Sequence, residues 1–309
     1  MKCFINREDS VLISQAAGFI GEKEIDLEKT FSNEALFEKT GILKVYQTDL
    51  STKELAQNAV CALPNQKVAR EANLLFLVTQ SPDDYLPANA IPLADMLGMR
   101  SDLLAMDLNQ GCSGFVQALC LCEKLAKSYG KILLITADRY RSKLHKGDRS
   151  TNAVFSDGAC ALVVQPSETQ KIIYENHITD GSKRNWLFQS ASNENDGFLH
   201  MSGADVWMFT RSVVVPQIKK ALEEANAKNL TVKKIYIHQA SKMVVDGIGK
   251  LLGINELLAK NYYKRGNTVS SSIPFLLIDE PIDLSKNECV IFAGFGVGLT
   301  STVAILANL

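Results

Sequence analysis

The sequence contains no Cys-x-x-Cys pair, no apolar run near the roughly 18 residues of a membrane span, and no excess of one charge. Its 33 basic and 34 acidic side chains leave a formal charge of −1. Zinc ribbons, disulfide scaffolds and spanning helices are thereby set aside, and no global field draws the chain to nucleic acid or to a membrane, although local patches can still meet an acidic partner. The opening MKCFINREDS carries charges where a secretory leader would have its apolar core, so a cytoplasmic protein is expected. Histidine is scarce too: four residues, His145, His177, His200 and His238, restrict the candidates for proton chemistry. The seven cysteines are odd in number and scattered, as in a chain of reduced thiols.

What is present is ordinary globular composition, 309 residues that are 46% hydrophobic, enough for about two domains. In the first half NLLFLVTQ (73–80), LLAMDLNQ (103–110), KILLITA (131–137) and GACALVV (158–164) predict buried strands, LADMLGM (93–99) predicts a helix, and another helix starts at Cys112. The same order returns in KKIYIHQ, GKLLGI, NYYKRGNT, SSSIPFLLI, ECVIFAG and LTSTVAIL. His238 follows Thr79 by 159 positions, and Gly253 follows Gly98, as Asn267 follows Cys112, by 155. That constancy predicts a duplicated α/β unit, with halves over residues 1–165 and 166–309. Strands rich in Val, Ile and Leu without alternation belong to sheets covered on both faces, so a five-layered α/β/α/β/α sandwich is expected. The polar, glycine-rich stretch 179–203 reads as a long loop near a site.

Cys112 has the context of a nucleophile. It follows a predicted buried strand through NQG and opens CSGFVQALCLCEKLAKSYG, where Phe115, Ala118, Leu119, Cys122, Leu125 and Ala126 recur at helical spacing and Gly130 provides the stop. At a helix amino end, unpaired N–H groups favour a thiolate and can hold an oxyanion. Cys120 and Cys122, two apart on that helix, cannot act together. His238 ends a predicted strand, where α/β sheets present functional groups, whereas His145, His177 and His200 lie in polar segments. Asn267 occupies in the second half the place of Cys112 in the first, at the opening of a predicted buried helix. A pseudo-twofold axis would bring the two together beside His238. The glycines of AGFGVGLTSTVAIL lack the spacing and following helix of a nucleotide loop, and suit close backbone approach to a ligand.

The segments SNEALFEKTGI (32–42), DLNQGCSGF (107–115), GDRSTNAVFSDGACALVV (147–164), MSGADVWMFTRSVVVPQIKKAL (201–222), IHQAS (237–241), GNTVSSSIP (266–274) and FGVGLTS (295–301) together resemble the 3-oxoacyl-acyl-carrier-protein synthase III family of the thiolase superfamily. The resemblance implies a homodimeric condensing enzyme with a Cys112–His238–Asn267 triad, no metal, and coenzyme A present only as part of an acyl-coenzyme A substrate. Cys112 would become an acyl thioester, with the amides of Cys112 and Val297 as oxyanion donors. His238 and Asn267 would hydrogen-bond malonyl-acyl-carrier protein as it loses CO2. Arg149 of the GDR motif would contact coenzyme A, and Leu86 in SPDDYLP would border the partner's acyl pocket. Lys242 and Lys250, on one predicted helix, are candidates for docking the acidic carrier protein, with Lys219 and Lys220 on another.

The sequence departs from the family at Ala35, where a tryptophan usually stacks on adenine, and at Arg265, Ser241 and Val297, where the family has histidine, asparagine and glycine. These departures touch donor recognition. They leave open an acyltransferase that passes the acyl group to an oxygen or nitrogen nucleophile without decarboxylation. A non-catalytic scaffold is disfavoured because Cys112, His238 and Asn267 are all present.

Overall fold

The computed structural model describes the backbone of residues 4–6 and 34–35 and all atoms of residues 11–30, 36–190, 197–281 and 283–309. Two mixed sheets organise it. The first runs, edge to edge, Phe4–Asn6, Ile13–Ile20, Gly158–Val164, Ile132–Asp138, Leu74–Val78 and Leu104–Leu108. Its last three strands are parallel, and the others join antiparallel. The second runs Thr231–Ile237, Glu288–Gly296, Thr300–Asn308 and Gln170–Thr179, beginning with a parallel pair and continuing antiparallel. The succession repeats the inner strands of the first sheet in order and direction, as duplication requires.

Between the sheets lie the helices Gly111–Tyr129 and Ser272–Asp279, each contacting strands of both. Helices Thr52–Cys61 and Ala90–Met96 cover the outer face of the first sheet, and Val215–Ala227 lies against the second, with Lys242–Leu252 packed beside it. The five-layered α/β/α/β/α sandwich is the one expected. Its middle is dry. Phe115 of the inner helix meets Phe292 edge-on at 6.2 Å, and Tyr236 stacks on Phe292 at 5.6 Å, all three buried. Such aromatic pairs prefer these offset and edge-to-face arrangements.

One strand expectation fails. NYYKRGNT, the counterpart of LLAMDLNQ, forms a short helix, Tyr262–Arg265, and among the described residues the place of Leu104–Leu108 in the second sheet is taken only by an isolated parallel bridge between Ile235 and Leu258. Gln239 Oε1 accepts the amides of Asn261 and Tyr262, so a side chain satisfies backbone donors that a strand neighbour would otherwise pair. The stretch 179–203 is more structured than a loop. It carries a 3-10 helix, Gly181–Trp186, and the paired short strands Leu187–Phe188 and His200–Met201, while residues 191–196 lie outside the described residues.

Deleting the Phe292 ring leaves a cavity that two rigid sheets cannot fill. Phe292→Ala is expected to lose about 3–5 kcal/mol in urea unfolding, against about 0.5 kcal/mol or less for Leu121→Ala on the exposed face of the inner helix. Equal losses would contradict this layering.

Candidate active site

Cys112 is the second residue of the helix Gly111–Tyr129, within one residue of the predicted start. Gly111 turns the chain at φ +49°, and a Cβ there would overlap the Gln80 side chain at 2.0 Å. Behind the thiol passes the strand Glu288–Gly296. A Cβ at position 296 would stand 2.8 Å from Cys112 Cβ and 3.2 Å from Sγ, and one at 294 would meet backbone of Ser113 and Cys112 at 3.0 and 3.1 Å. The glycines of AGFGVG therefore let backbone approach the nucleophile itself, where their pattern had suggested approach to a ligand. Ser113 Oγ bonds Thr300 Oγ1 at 2.7 Å, and Thr300 Oγ1 donates to the Val297 carbonyl at 2.8 Å, which fastens this turn to the helix.

His238 follows the strand Thr231–Ile237, and its amide still donates to Ala293 at 2.9 Å. Its Nδ1 lies 2.7 Å from Ser272 Oγ, and its ring stands edge-on to Phe295. Asn267 is held by backbone on both sides, its N–H donating to Val154 and its carbonyl accepting from Ser156. Its Oδ1 accepts the Val269 amide at 2.9 Å, which assigns Nδ2 as the unengaged end of the side chain. Asn267 does not itself open a helix: a 3-10 turn, Val269–Ser271, intervenes before Ser272–Asp279. Even so, Cys112, His238, Asn267 and Val297 line one chamber, with Phe155, Leu187, Met201, Val206, Val244 and Phe295 among its apolar walls.

Burial governs the electrostatics. It pushes the Cys112 thiol far up, the Asp138 charge adds to that, and only the residue's own amide opposes. The helix end thus does not yield a resting thiolate, which corrects the expectation from position alone. Burial likewise pushes His238 down to about 3 from an ordinary 6.5, so the imidazole is neutral. Sequence reading missed Ser272, which holds the imidazole, and Asp138, a fully buried carboxylate. Asp138 accepts from the Gln80 amide at 2.8 Å and from both the amide and hydroxyl of Ser270, at 3.2 and 2.5 Å, which ties the turn after Asn267 to the first sheet. Burial raises it to about 6 against those bonds. The only local signals were a charge ending an apolar strand in LLITADR and the serine run of GNTVSSSIP.

The other predicted residues stand outside the chamber. Arg149 opens the short helix Arg149–Asn152 and is exposed. Leu86 is 88% exposed beside Tyr85 at 86%. Lys242 and Lys250 lie exposed at opposite ends of the helix Lys242–Leu252, and Lys219 and Lys220 are exposed on Val215–Ala227. Ala35 falls in the helix Glu34–Thr40, its side chain outside the described residues. Arg265 clasps Asp279 through Nε at 2.7 Å and Nη2 at 2.6 Å and lies 4.4 Å over the Phe275 ring. Among the described residues there is no His/Cys/Asp/Glu cluster able to hold a metal, and no helix is long and apolar enough to cross a membrane.

Two family models match, 3-oxoacyl-[acyl-carrier-protein (ACP)] synthase III over residues 106–181 and its C-terminal counterpart over 222–307. A beta-ketoacyl-[acyl-carrier-protein] synthase III of Clostridium perfringens is 32% identical over 89% of this chain and 90% of its own length. One from Lactococcus lactis is 31% identical over 95% and 98%. Among solved structures, a 3-oxoacyl-(acyl-carrier-protein) synthase III superposes with a TM-score of 0.86 at 26% identity over 99% of this chain and 100% of its own. The Thermus thermophilus enzyme does so at 0.86 and 25%, over 97% and 99%. On these matches the chain belongs to the 3-oxoacyl-[acyl-carrier-protein] synthase III family.

Proposed function

We propose that this protein is a decarboxylating condensing enzyme, in which Cys112 accepts an acyl group from acyl-coenzyme A and passes it to the carbanion formed from malonyl-acyl-carrier protein. The observation that carries this reading is the pairing of two neutral donors, His238 and Asn267, beside one thiol. A protease-like site would need a histidine oriented by a carboxylate and able to hold a proton; here the ring's partner is a hydroxyl.

That hydroxyl suits both half-reactions. Ser272 can donate or accept, so the ring keeps its bond in either tautomer. With Nδ1–H donating to Ser272, Nε2 takes the Cys112 proton as sulfur attacks the thioester carbonyl. The transient thiolate and imidazolium stabilise each other, and the departing coenzyme A sulfur then takes the proton. With Ser272 donating to Nδ1, Nε2–H and the Asn267 Nδ2 group face the malonyl thioester oxygen. Loss of CO2 places charge on that oxygen, and neutral donors stabilise the enolate without quenching it by proton transfer. The enolate carbon attacks the acyl-Cys112 carbonyl, and the Cys112 sulfur leaves with the bonding pair and takes a proton from solvent, which restores the neutral thiol. The amides of Cys112 and Val297 serve as oxyanion donors in both acyl transfers, a role supported by the Val297 position on the chamber wall.

Lys242 and Lys250, exposed at the two ends of the helix whose Val244 lines the chamber, are offered as the carrier-protein docking groups. Arg149 is offered as the coenzyme A phosphate contact. Exposed Tyr85 and Leu86, together with the free edge of Leu104–Leu108, support a homodimer; the mass of one chain by light scattering would count against it.

Acetyl-coenzyme A and carboxyl-labelled malonyl-acyl-carrier protein test the reaction. Cys112→Ala is expected to lose acyl-enzyme and condensation, the latter by at least about 10³-fold. Asn267→Ala is expected to slow CO2 release by about 10²–10³-fold while leaving Cys112 acylation within a few-fold. Acyl-enzyme turnover by an oxygen or nitrogen acceptor without CO2 release would replace condensation with simple acyl transfer. Neutrality of His238 has its own signature. Below pH 6.5 the unfolded chain binds a proton there that the folded chain refuses down to about 3, so His238 costs stability as pH falls through that window. The Tm of His238→Asn relative to wild type should therefore rise between about pH 8 and about pH 5, the contribution of Asp138 cancelling between the two proteins. A pH-independent difference would mean a solvated imidazole.

A further inference from the structure

We propose that Asp138 is the positioning residue for CO2 loss: acting through Ser270, it holds the turn that aims the Asn267 carboxamide. This rests on the decarboxylating reading above and ties one of its two half-reactions to a residue outside the chamber wall. The chain twists sharply after Asn267. Val269 stands at φ +52°, a left-handed conformation that a β-branched side chain keeps only where its surroundings force it. With that twist the Val269 amide turns back onto Asn267 Oδ1 at 2.9 Å, and Nδ2 is left as the donating end.

The three serines that follow supply the restraint, each in a different direction. Ser270 reaches Asp138 through its amide and hydroxyl, Ser271 Oγ lies 2.8 Å from Thr136 Oγ1 on the same strand, and Ser272 meets His238. The grip of Asp138 falls next to the twist and is the charged one of the three. Its Oδ2 receives both Ser270 bonds, while Oδ1 receives the Gln80 amide at 2.8 Å, the Ser81 hydroxyl at 3.3 Å and the Thr79 hydroxyl at 3.4 Å. Those two hydroxyls themselves accept amides, from Arg139 and Ser81, so each presents its proton to the carboxylate. Both oxygens of Asp138 thus face neutral donors. Hydrogen bonds to an ionised acceptor are the stronger kind, and an amide in its place would set an N–H against one of these donors. The same charge disfavours a Cys112 thiolate. Removing it loosens Asn267 yet relieves the sulfur, so the two half-reactions should respond differently.

Cys112 acylation by acetyl-coenzyme A, followed by intact mass, and CO2 release from carboxyl-labelled malonyl-acyl-carrier protein are compared at about pH 8, where Asp138, raised by burial to about 6, is ionised. Asp138→Asn is expected to lower the kcat of CO2 release at least about tenfold, since small misplacements of a group at the reacting centre are costly. The KM for malonyl-acyl-carrier protein and the acylation rate should each stay within about threefold. Ser270→Ala, which removes the hydroxyl and keeps the amide, should lower CO2 release at least about threefold, and it serves should the Asp138 variant not fold. In an Asn267→Ala background, Asp138→Asn should cost no more than about a further twofold, because the group it aims is gone. A residue that only supports the fold would lower acylation and CO2 release together and cost as much in either background. Either result overturns the inference, as does unchanged CO2 release in a folded Ser270→Ala variant. Wild type that forms acyl-Cys112 and releases no CO2 overturns the condensing reading and the inference with it.

Discussion

The site depends on one contact without side chains, the passage of the strand Glu288–Gly296 against the first turn of the helix that bears Cys112. Gly294 and Gly296 bring backbone from the second half within van der Waals contact of the nucleophile's own backbone and sulfur, where any Cβ would be too close. Ser113 and Thr300 fasten the same junction with a hydroxyl bond. Because His238 donates its amide to Ala293 on that very strand, the junction that fixes the thiol also fixes the imidazole. Asp138 completes the arrangement from the other side by gripping Ser270 just beyond Asn267. Three chemical groups from distant segments are thus set by backbone geometry, the least adjustable part of a protein.

The burial that holds these groups also sets their charge. A thiol, an imidazole and a carboxyamide sit together with no resting charge among them. Such a site stores little electrostatic energy before substrate arrives, and charge appears in it only as bonds are made and broken. Fixed donors in a chamber with mostly apolar walls are then worth more than the same donors in water, because less solvent has to reorganise around the new charge.

Much of this was legible in the sequence where a local pattern coincides with a physical requirement. The inner helix showed its periodicity and its glycine stop, His238 its place at a strand end, and Asn267 its register in the repeat. The illegible parts depend on contacts across the fold. Nothing within NYYKRGNT reveals that Gln239 will take two of its amides, so the predicted strand became a helical turn. Nothing near Cys112 reveals how completely it will be desolvated, so the helix end suggested a thiolate that burial denies. Ser272 and Asp138 sit in ordinary-looking stretches and acquire their roles only through partners 34 and 132 residues away.

Arg265 is one half of a buried couple. Its guanidinium is matched to Asp279, whose side chain is only 4% exposed; burial alone would raise that carboxyl, but Arg265, Asn261 and Lys264 hold it below the ordinary range. Removing one member of such a buried ion pair typically costs about 3–5 kcal/mol, a large share of a domain's total stability. The two positions are therefore coupled in this chain: a substitution at either one strands the other as a buried charge without its counterpart.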